Sequence, residues 1–355
     1  SGLDRYMGLS QPLVVVDGLP GASLLAVDPQ DITSIEVLRD MSSAAVYGAR
    51  AANGVIRIRT RAARGGPLRV QYRGYLSLEG AADIPDFLDA DAYRTLSDIT
   101  DYQASTNWVD EITRTAFSQA HQLALRGGRG GFSHRLALHY RGVAGVACGS
   151  GFRQGSAWLR LRQALWEERL VLQGYFGYLQ RAFDDVDPDV FRSALVYNPT
   201  APVRRSGMDE FGGYFQELFF QFNNPVALLE QPVREGTRRQ LTAQLSAAWR
   251  LLPGLFLEGR LAGQRLDSEA GFFAGPEAFP LGYQLNGSAR RYESRFDNWW
   301  TEARLRYERS WRQHRLSLRS GYQYQRFDLD AQEQSAALFG TAIGSYEELD
   351  WGSDP

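Results

Sequence analysis

Nine stretches of this chain alternate apolar and polar residues with a period of two, and no other feature constrains the fold as strongly. In one, Leu241, Ala243, Leu245, Ala247 and Trp249 alternate with Gln240, Thr242, Gln244, Ser246 and Arg250. In another, Leu316, Leu318, Ser320, Tyr322 and Tyr324 alternate with Arg315, Ser317, Arg319, Gln323 and Gln325. The nine begin near Val70, Gln119, His134, Gly155, Leu170, Gln240, Leu255, Trp299 and Arg315. Period two places one residue set on each face of a strand. The clear stretches run about 9 to 12 residues, the length a tilted strand needs to cross a bilayer; soluble strands are nearer 5 or 6.

The connections alternate too. Short ones fall at Gly127–Gly131, Glu167–Arg169, Leu252–Gly254 and Trp311–Gln313, and long ones at roughly 80–117, 142–153, 182–237 and 266–297. Outer-membrane barrels join their strands by short turns on one side and long loops on the other. Arg and Glu crowd the polar faces and must meet water or an internal body, because they are costly toward lipid. Tyr and Trp gather toward the strand ends of the apolar faces, as an interfacial girdle would.

Composition agrees. Mean hydropathy is −0.35, and no run of about 18 apolar residues suits a membrane helix. Aromatic residues make up 12%, and there are 36 Gly, which favours an all-β chain. Net charge is −2, against a nucleic-acid partner found through bulk charge. All 39 basic residues are Arg, and Cys148 is the single cysteine, which excludes an internal disulfide framework.

The first 66 residues read differently, as a small mixed α/β unit. Leu13–Val16 is an apolar run ended by Asp17-Gly18, and Asp28–Asp31 is a turn. Ile32–Leu38 is a strand, with Ile35 and Val37 on one face and Glu36 on the other. Met41–Tyr47 is a short helix capped by Asp40 and stopped by Gly48. Asn53-Gly54 is a tight turn before the strand Val55–Thr60, and 61–67 is a linker.

Three ordered segments here resemble the SusC/RagA branch of TonB-dependent outer-membrane transporters: Pro12–Gly18, Asp28–Asp40 and Ala44–Ile56. Thr106–Ile112 with Gly127-Gly128, Tyr197–Val203, and Asn224–Ala227 resemble later landmarks of the same family, to about Phe327. The resemblance implies that residues 1–66 are the C-terminal part of a plug domain and 67–355 the first part of a transmembrane barrel with long extracellular loops. The expected fold is mainly β, about nine antiparallel strands of a larger plugged barrel, where transporters have about 22. The chain starts at Ser1 with no signal peptide, and its odd strand set leaves two open edges that cannot face lipid. Both features lead us to expect an internal piece of a longer protein, or one of several separately built pieces.

The resemblance implies import of glycan or peptide fragments across the bacterial outer membrane. It further implies TonB in the periplasm and a SusD-like surface lipoprotein as partners, contact with outer-membrane lipid, no nucleic acid, no cofactor and no enzymatic activity. The plug positions carried over are Asp17, Gly18, Glu36, Tyr47, Gly48, Arg50, Asn53 and Gly54. Arg50, Arg57, Arg59 and Glu36 either pair with lumen-facing charges such as Glu258, Glu302, Arg304 and Arg306, a polar contact separable by force, or are simply solvated. Tyr214, Phe215, Phe219 and Phe220 form an aromatic stretch that stacks on sugars, meets a partner or packs within its loop. Pro85–Ile99 holds a short amphipathic helix with Phe87, Leu88, Tyr93 and Leu96 on one side.

Other constellations give no chemistry. Asp184, Asp185, Asp187 and Asp189 lack EF-hand spacing and read as a solvated loop more than a Ca²⁺ site. His121, His134, His139 and His314 fall in separate strands without metal-ligand spacing, and Cys148 has no assignable base. Other readings are a siderophore or cobalamin receptor, a non-transporting outer-membrane protein, and a soluble β-rich carbohydrate-binding protein. The Tyr47–Ile56 segment weighs against the first of these, and the long-short loop alternation against the last.

Overall fold

The computed structural model describes residues 12–24, 27–39, 47–48, 51–82, 84–217, 222–339 and 344–353. Two sheets account for its strands. The small one has the order β2-β1-β4-β3, from β1 (Leu13–Val16), β2 (Leu19–Pro20), β3 (Ile32–Leu38) and β4 (Val55–Thr60). β1 lies parallel to β4, and the β1–β2 and β3–β4 pairs are antiparallel.

The second sheet is the wall. Its nine strands are β5 (Gly66–Glu79), β6 (Ala116–Arg129), β7 (Phe132–Ala144), β8 (Gly151–Leu165), β9 (Leu170–Asp184), β10 (Val233–Leu252), β11 (Leu255–Ala274), β12 (Ser288–Trp311) and β13 (His314–Ala337). They pair in chain order, every neighbour antiparallel, and β5 and β13 are the sheet's two ends.

The wall is inside out relative to a soluble sheet. Ser118, Gln122, Ser133, Arg135, Gln240, Thr242, Gln264 and Asn298 are buried on its inner face. Leu245 is 66% exposed and Tyr322 68% exposed on the outer face, with Leu123, Leu138, Leu161, Leu257, Leu261 and Leu305 around them. An apolar outer face of this extent has to be covered, and strands of this length and alternation suit lipid.

The strands run 13 to 24 residues, longer than the sequence pattern suggests. The outer apolar alternation stops at the Gly263–Trp299 pair. Beyond it β11 and β12 continue with charged outer residues: Arg265 bonds Asp297 at 2.8 Å, and Arg295 bonds Asp267 at 2.8 Å. Such pairs belong in water, so these ends project past the bilayer. The extension shortens the expected long connection at 142–153 to residues 145–150. It also draws Gly66 and Pro67 of the expected linker into β5. Turns on the other side remain tight, at Gly130-Gly131, 166–169, Pro253-Gly254 and Arg312-Gln313.

The long loops fold into a core of their own around Trp108, Val109, Ile112, Val190, Tyr197 and Phe215. The Trp108 indole N–H donates to the Asn198 carbonyl at 3.0 Å. Asn224 caps the helix Pro225–Glu230 and also donates to the carbonyls of Val203 and Phe215. Thr106–Ile112, Tyr197–Val203 and Asn224–Ala227, distant in sequence, therefore meet. The amphipathic helix expected over Pro85–Ile99 is only Ala90–Arg94. Phe87 joins the loop core, whereas Leu88 and Leu96 stay exposed, so no continuous apolar face forms. The expected helix Met41–Tyr47 lies outside the described residues except for Tyr47.

Candidate functional site

The small sheet is seated against the inner wall through two polar nodes. The first is the β1–β2 hairpin. Asp17 and Gly18 form its two-residue turn at φ 48° and 87°, the left-handed pair that a tight hairpin requires. One Asp17 carboxylate oxygen accepts the Thr60 backbone N–H at 2.9 Å. The other accepts the Thr60 hydroxyl at 2.8 Å and Arg160 Nη2, from β8, at 2.5 Å. The Arg160 guanidinium lies 4.3 Å from the Tyr175 ring centroid, and Tyr175 stacks on Trp158 at 5.8 Å. Gly177, opposite Trp158, leaves room for that indole; a Cβ there would overlap it.

The same hairpin touches the far side of the wall. The Gly18 carbonyl accepts from Arg260 Nη1 at 3.4 Å, and that guanidinium fills the space a Gly18 Cβ would need. Leu19 packs on Ala262 and Trp300. The Pro20 carbonyl accepts from Asn298 Nδ2 at 2.9 Å and Gln325 Nε2 at 3.3 Å.

The second node is the 3₁₀ turn Pro29–Asp31, which Asp28 caps. Asp31 accepts from Arg135 and from Gln122 Nε2 at 3.0 Å, and lies 3.3 Å from His139 Nε2. All four side chains are buried. Burial pushes the Asp31 carboxyl up, but the His139 hydrogen bond and the Arg135 guanidinium outweigh it, and the group titrates below the usual carboxylate range.

The ion pairs are not those expected from the sequence. Glu36 pairs within its own sheet, with Arg57 and with Arg59 at 3.8 Å, because β3 and β4 put them on adjacent strands. Glu258 pairs with Arg306 at 3.3 Å and Arg304 at 3.8 Å, and Glu302 with Arg304, all within the wall. Asp31, Arg135, His139, Arg160 and Arg260 make the contacts instead. Their signal was the inward parity of Arg135, His139, Arg160 and Arg260 in their strands.

The remaining positions divide as follows. Tyr47 packs against Val15, Ala51 and Val55. Gly48 and Gly54 have φ of 70° and 87°, and Asn53 precedes Gly54 in its turn. Arg50, Phe219 and Phe220 lie outside the described residues. Tyr214 is 5% and Phe215 2% exposed, so they build the loop core and offer no surface to a ligand. The Tyr214 hydroxyl donates to Glu230 and accepts from Arg204. Asp187 is held by Arg234 at 2.5 Å, and among the described residues no His, Cys, Asp or Glu cluster is placed to hold a metal. His134 and His139 share β7, contrary to the sequence reading.

The sequence profile of the TonB-dependent Receptor Plug Domain matches residues 2–55. TonB-dependent receptor P3 of Formosa agariphila is 29% identical over 97% of this chain and 35% of that protein. TonB-dependent receptor SusC of Bacteroides thetaiotaomicron is 28% identical over 80% of this chain and 32% of that protein. The chain thus spans about a third of the length of these relatives. Among solved structures, the RagAB peptide importer in its open-open state superposes with a TM-score of 0.78 at 16% identity, covering 98% of this chain and 44% of that one. That likeness is one of fold.

Proposed function

Given that this chain belongs to the SusC/RagA type of TonB-dependent outer-membrane receptors, we propose that it serves energy-dependent import of oligosaccharide or peptide fragments. In this reading residues 1–66 belong to the plug and residues 67–355 to the barrel wall and its surface loops. TonB pulls the plug from the periplasm, and a SusD-like lipoprotein covers the loop side. Tyr47, Gly48, Asn53 and Gly54 shape the plug, while Asp17 and Gly18 seat it.

One observation carries the reading: apart from Leu19, packed on Ala262 and Trp300, the small sheet meets the wall chiefly through a few discrete hydrogen bonds and ion pairs, centred on Asp17 and Asp31. Polar contacts re-form with water once parted, so a modest force separates them reversibly. A dry apolar seam would give up its burial energy with no such replacement.

The test is uptake of labelled fragments by cells carrying the full-length transporter, with and without TonB. Loss of uptake without TonB is expected. Equal uptake in both strains would defeat the proposal.

A further inference from the structure

Above the Asp17 and Asp31 nodes, toward the long loops, three arginines stand on the inner face of the wall. Arg141 follows His139 by two residues on β7 and so shares its face. Arg181 and Arg238 sit directly opposite each other on β9 and β10. The guanidiniums of Arg181 and Arg141 lie 3.7 and 5.4 Å from the centroid of one ring, Phe152. Arg238 lies 5.5 Å from the centroid of Phe183. Gly236, across from Phe183, gives that ring its seat, since a Cβ there would come within 2.6 Å of it.

Neighbouring wall arginines are neutralised: Arg135 by Asp31, Arg160 by Asp17, Arg234 by Asp187. Among the described residues none of the three stacked arginines has a carboxylate within ion-pair distance. Among the described residues the buried Nε of Arg181 has no hydrogen-bond partner. Three adjacent like charges repel, so the cluster is costly unless something negative compensates it. The guanidiniums lie against the rings, and among the described residues no hydrogen bond is made by their N–H groups, which can grip an oxyanion by two parallel hydrogen bonds. Each ring already carries a guanidinium, so charge rather than a bare aromatic face is what this surface offers.

We propose that Arg141, Arg181 and Arg238 bind a substrate that carries several oxyanions, carboxylate or sulfate, on its way to the plug. This rests on the import reading and narrows it to acidic fragments. Binding is measured on the purified full-length transporter, where TonB plays no part, so a failure here is separate from a failure of the uptake test.

The probes are tetragalacturonate, a sulfated tetrasaccharide, tetra-aspartate and neutral maltotetraose, titrated by calorimetry at low and high salt. At least one anionic probe is expected to bind, more weakly as salt rises, and maltotetraose not to bind. Which anionic probe binds best tells carboxylated sugar, sulfated sugar and peptide apart. Arg181→Gln and Arg238→Gln are each expected to weaken binding about 10-fold, and Arg181→Lys to recover only part of the loss. Hydrogen exchange of the small sheet, unchanged in these variants, separates lost binding from lost folding. Binding that favours maltotetraose, that survives both Gln changes, or that is absent for every anionic probe overturns the proposal.

Discussion

Arg160 reaches across 143 residues of sequence to donate a 2.5 Å hydrogen bond to Asp17, fastening a hairpin turn of the small sheet to the middle of the wall. The same carboxylate holds Thr60 at the end of β4, so one side chain ties three separate strands together. Asp17→Asn removes the charge and strands Arg160 in a largely covered site. We expect a loss of about 1 to 3 kcal/mol in local stability, read as faster hydrogen exchange at residues 13–20 and 55–60. The swap Asp17→Arg with Arg160→Asp should restore part of it. No protection regained in the swap would mean the contact is incidental.

Acid should loosen the second node. The carboxyl of Asp31 is depressed in the folded state, so its contribution is present above its unfolded value near 4 and is lost as pH falls through the lower folded value. Exchange of the amides around residues 28–33 should therefore quicken at the acid end. Asp31→Asn should flatten that dependence while weakening the node at neutral pH. An unchanged acid profile in the variant would place the dependence elsewhere.

Gly177 permits the Trp158–Tyr175 stack that underlies Arg160. Gly177→Ala forces the indole to swing away. The expected cost is about 1 to 3 kcal/mol, the range for overpacking, with a shift in tryptophan emission. Gly174→Ala, three residues away on the outer face where nothing crowds closer than 3.7 Å, should be nearly neutral.

Face parity is directly testable. Leu245→Arg, at a strongly exposed outer position, should cost about 2 to 4 kcal/mol in a bilayer, measured by urea unfolding in lipid vesicles. Gln244→Arg, one residue away on the inner face, should cost far less. Equal penalties would contradict the assignment of faces.

Burial pushes the Tyr214 hydroxyl up, and Glu230 adds to it, to about 12. Its folded value is raised, so its stabilisation is complete below the ordinary tyrosine range and fades as pH rises through about 12. Tyr214→Phe should remove this alkaline dependence from loop exchange rates. It should also lower loop stability at neutral pH by about 0.5 to 1.5 kcal/mol.

The wall was legible because its outer residues must satisfy lipid, which imposes strict alternation on sequences such as Leu241–Trp249. Where Arg265, Asp267, Arg295 and Asp297 replace apolar residues the alternation fails, and the strand continuations it no longer marks were missed. The seating contacts were hidden for another reason. Asp31 and Gln122 are 91 residues apart, and no local pattern links them. Inward parity narrowed the wall partners but could not choose among many arginines. For Tyr214 and Phe215 the sequence leaves a binding surface and packing within the loop both open, and the structure decides for packing, because a loop of this length needs a core of its own.

The stretch between β4 and β5 is only residues 61–65. A chain of that length reaches no more than about 18 Å when drawn straight. Whatever displaces the small sheet, its last strand stays leashed to the first strand of the wall. The sheet can tilt or unravel from the β1–β2 side, where its wall contacts are non-covalent, but it cannot drift free. A short leash also returns it: the effective concentration of β4 near its seat stays high, so the small sheet finds its place again without a search.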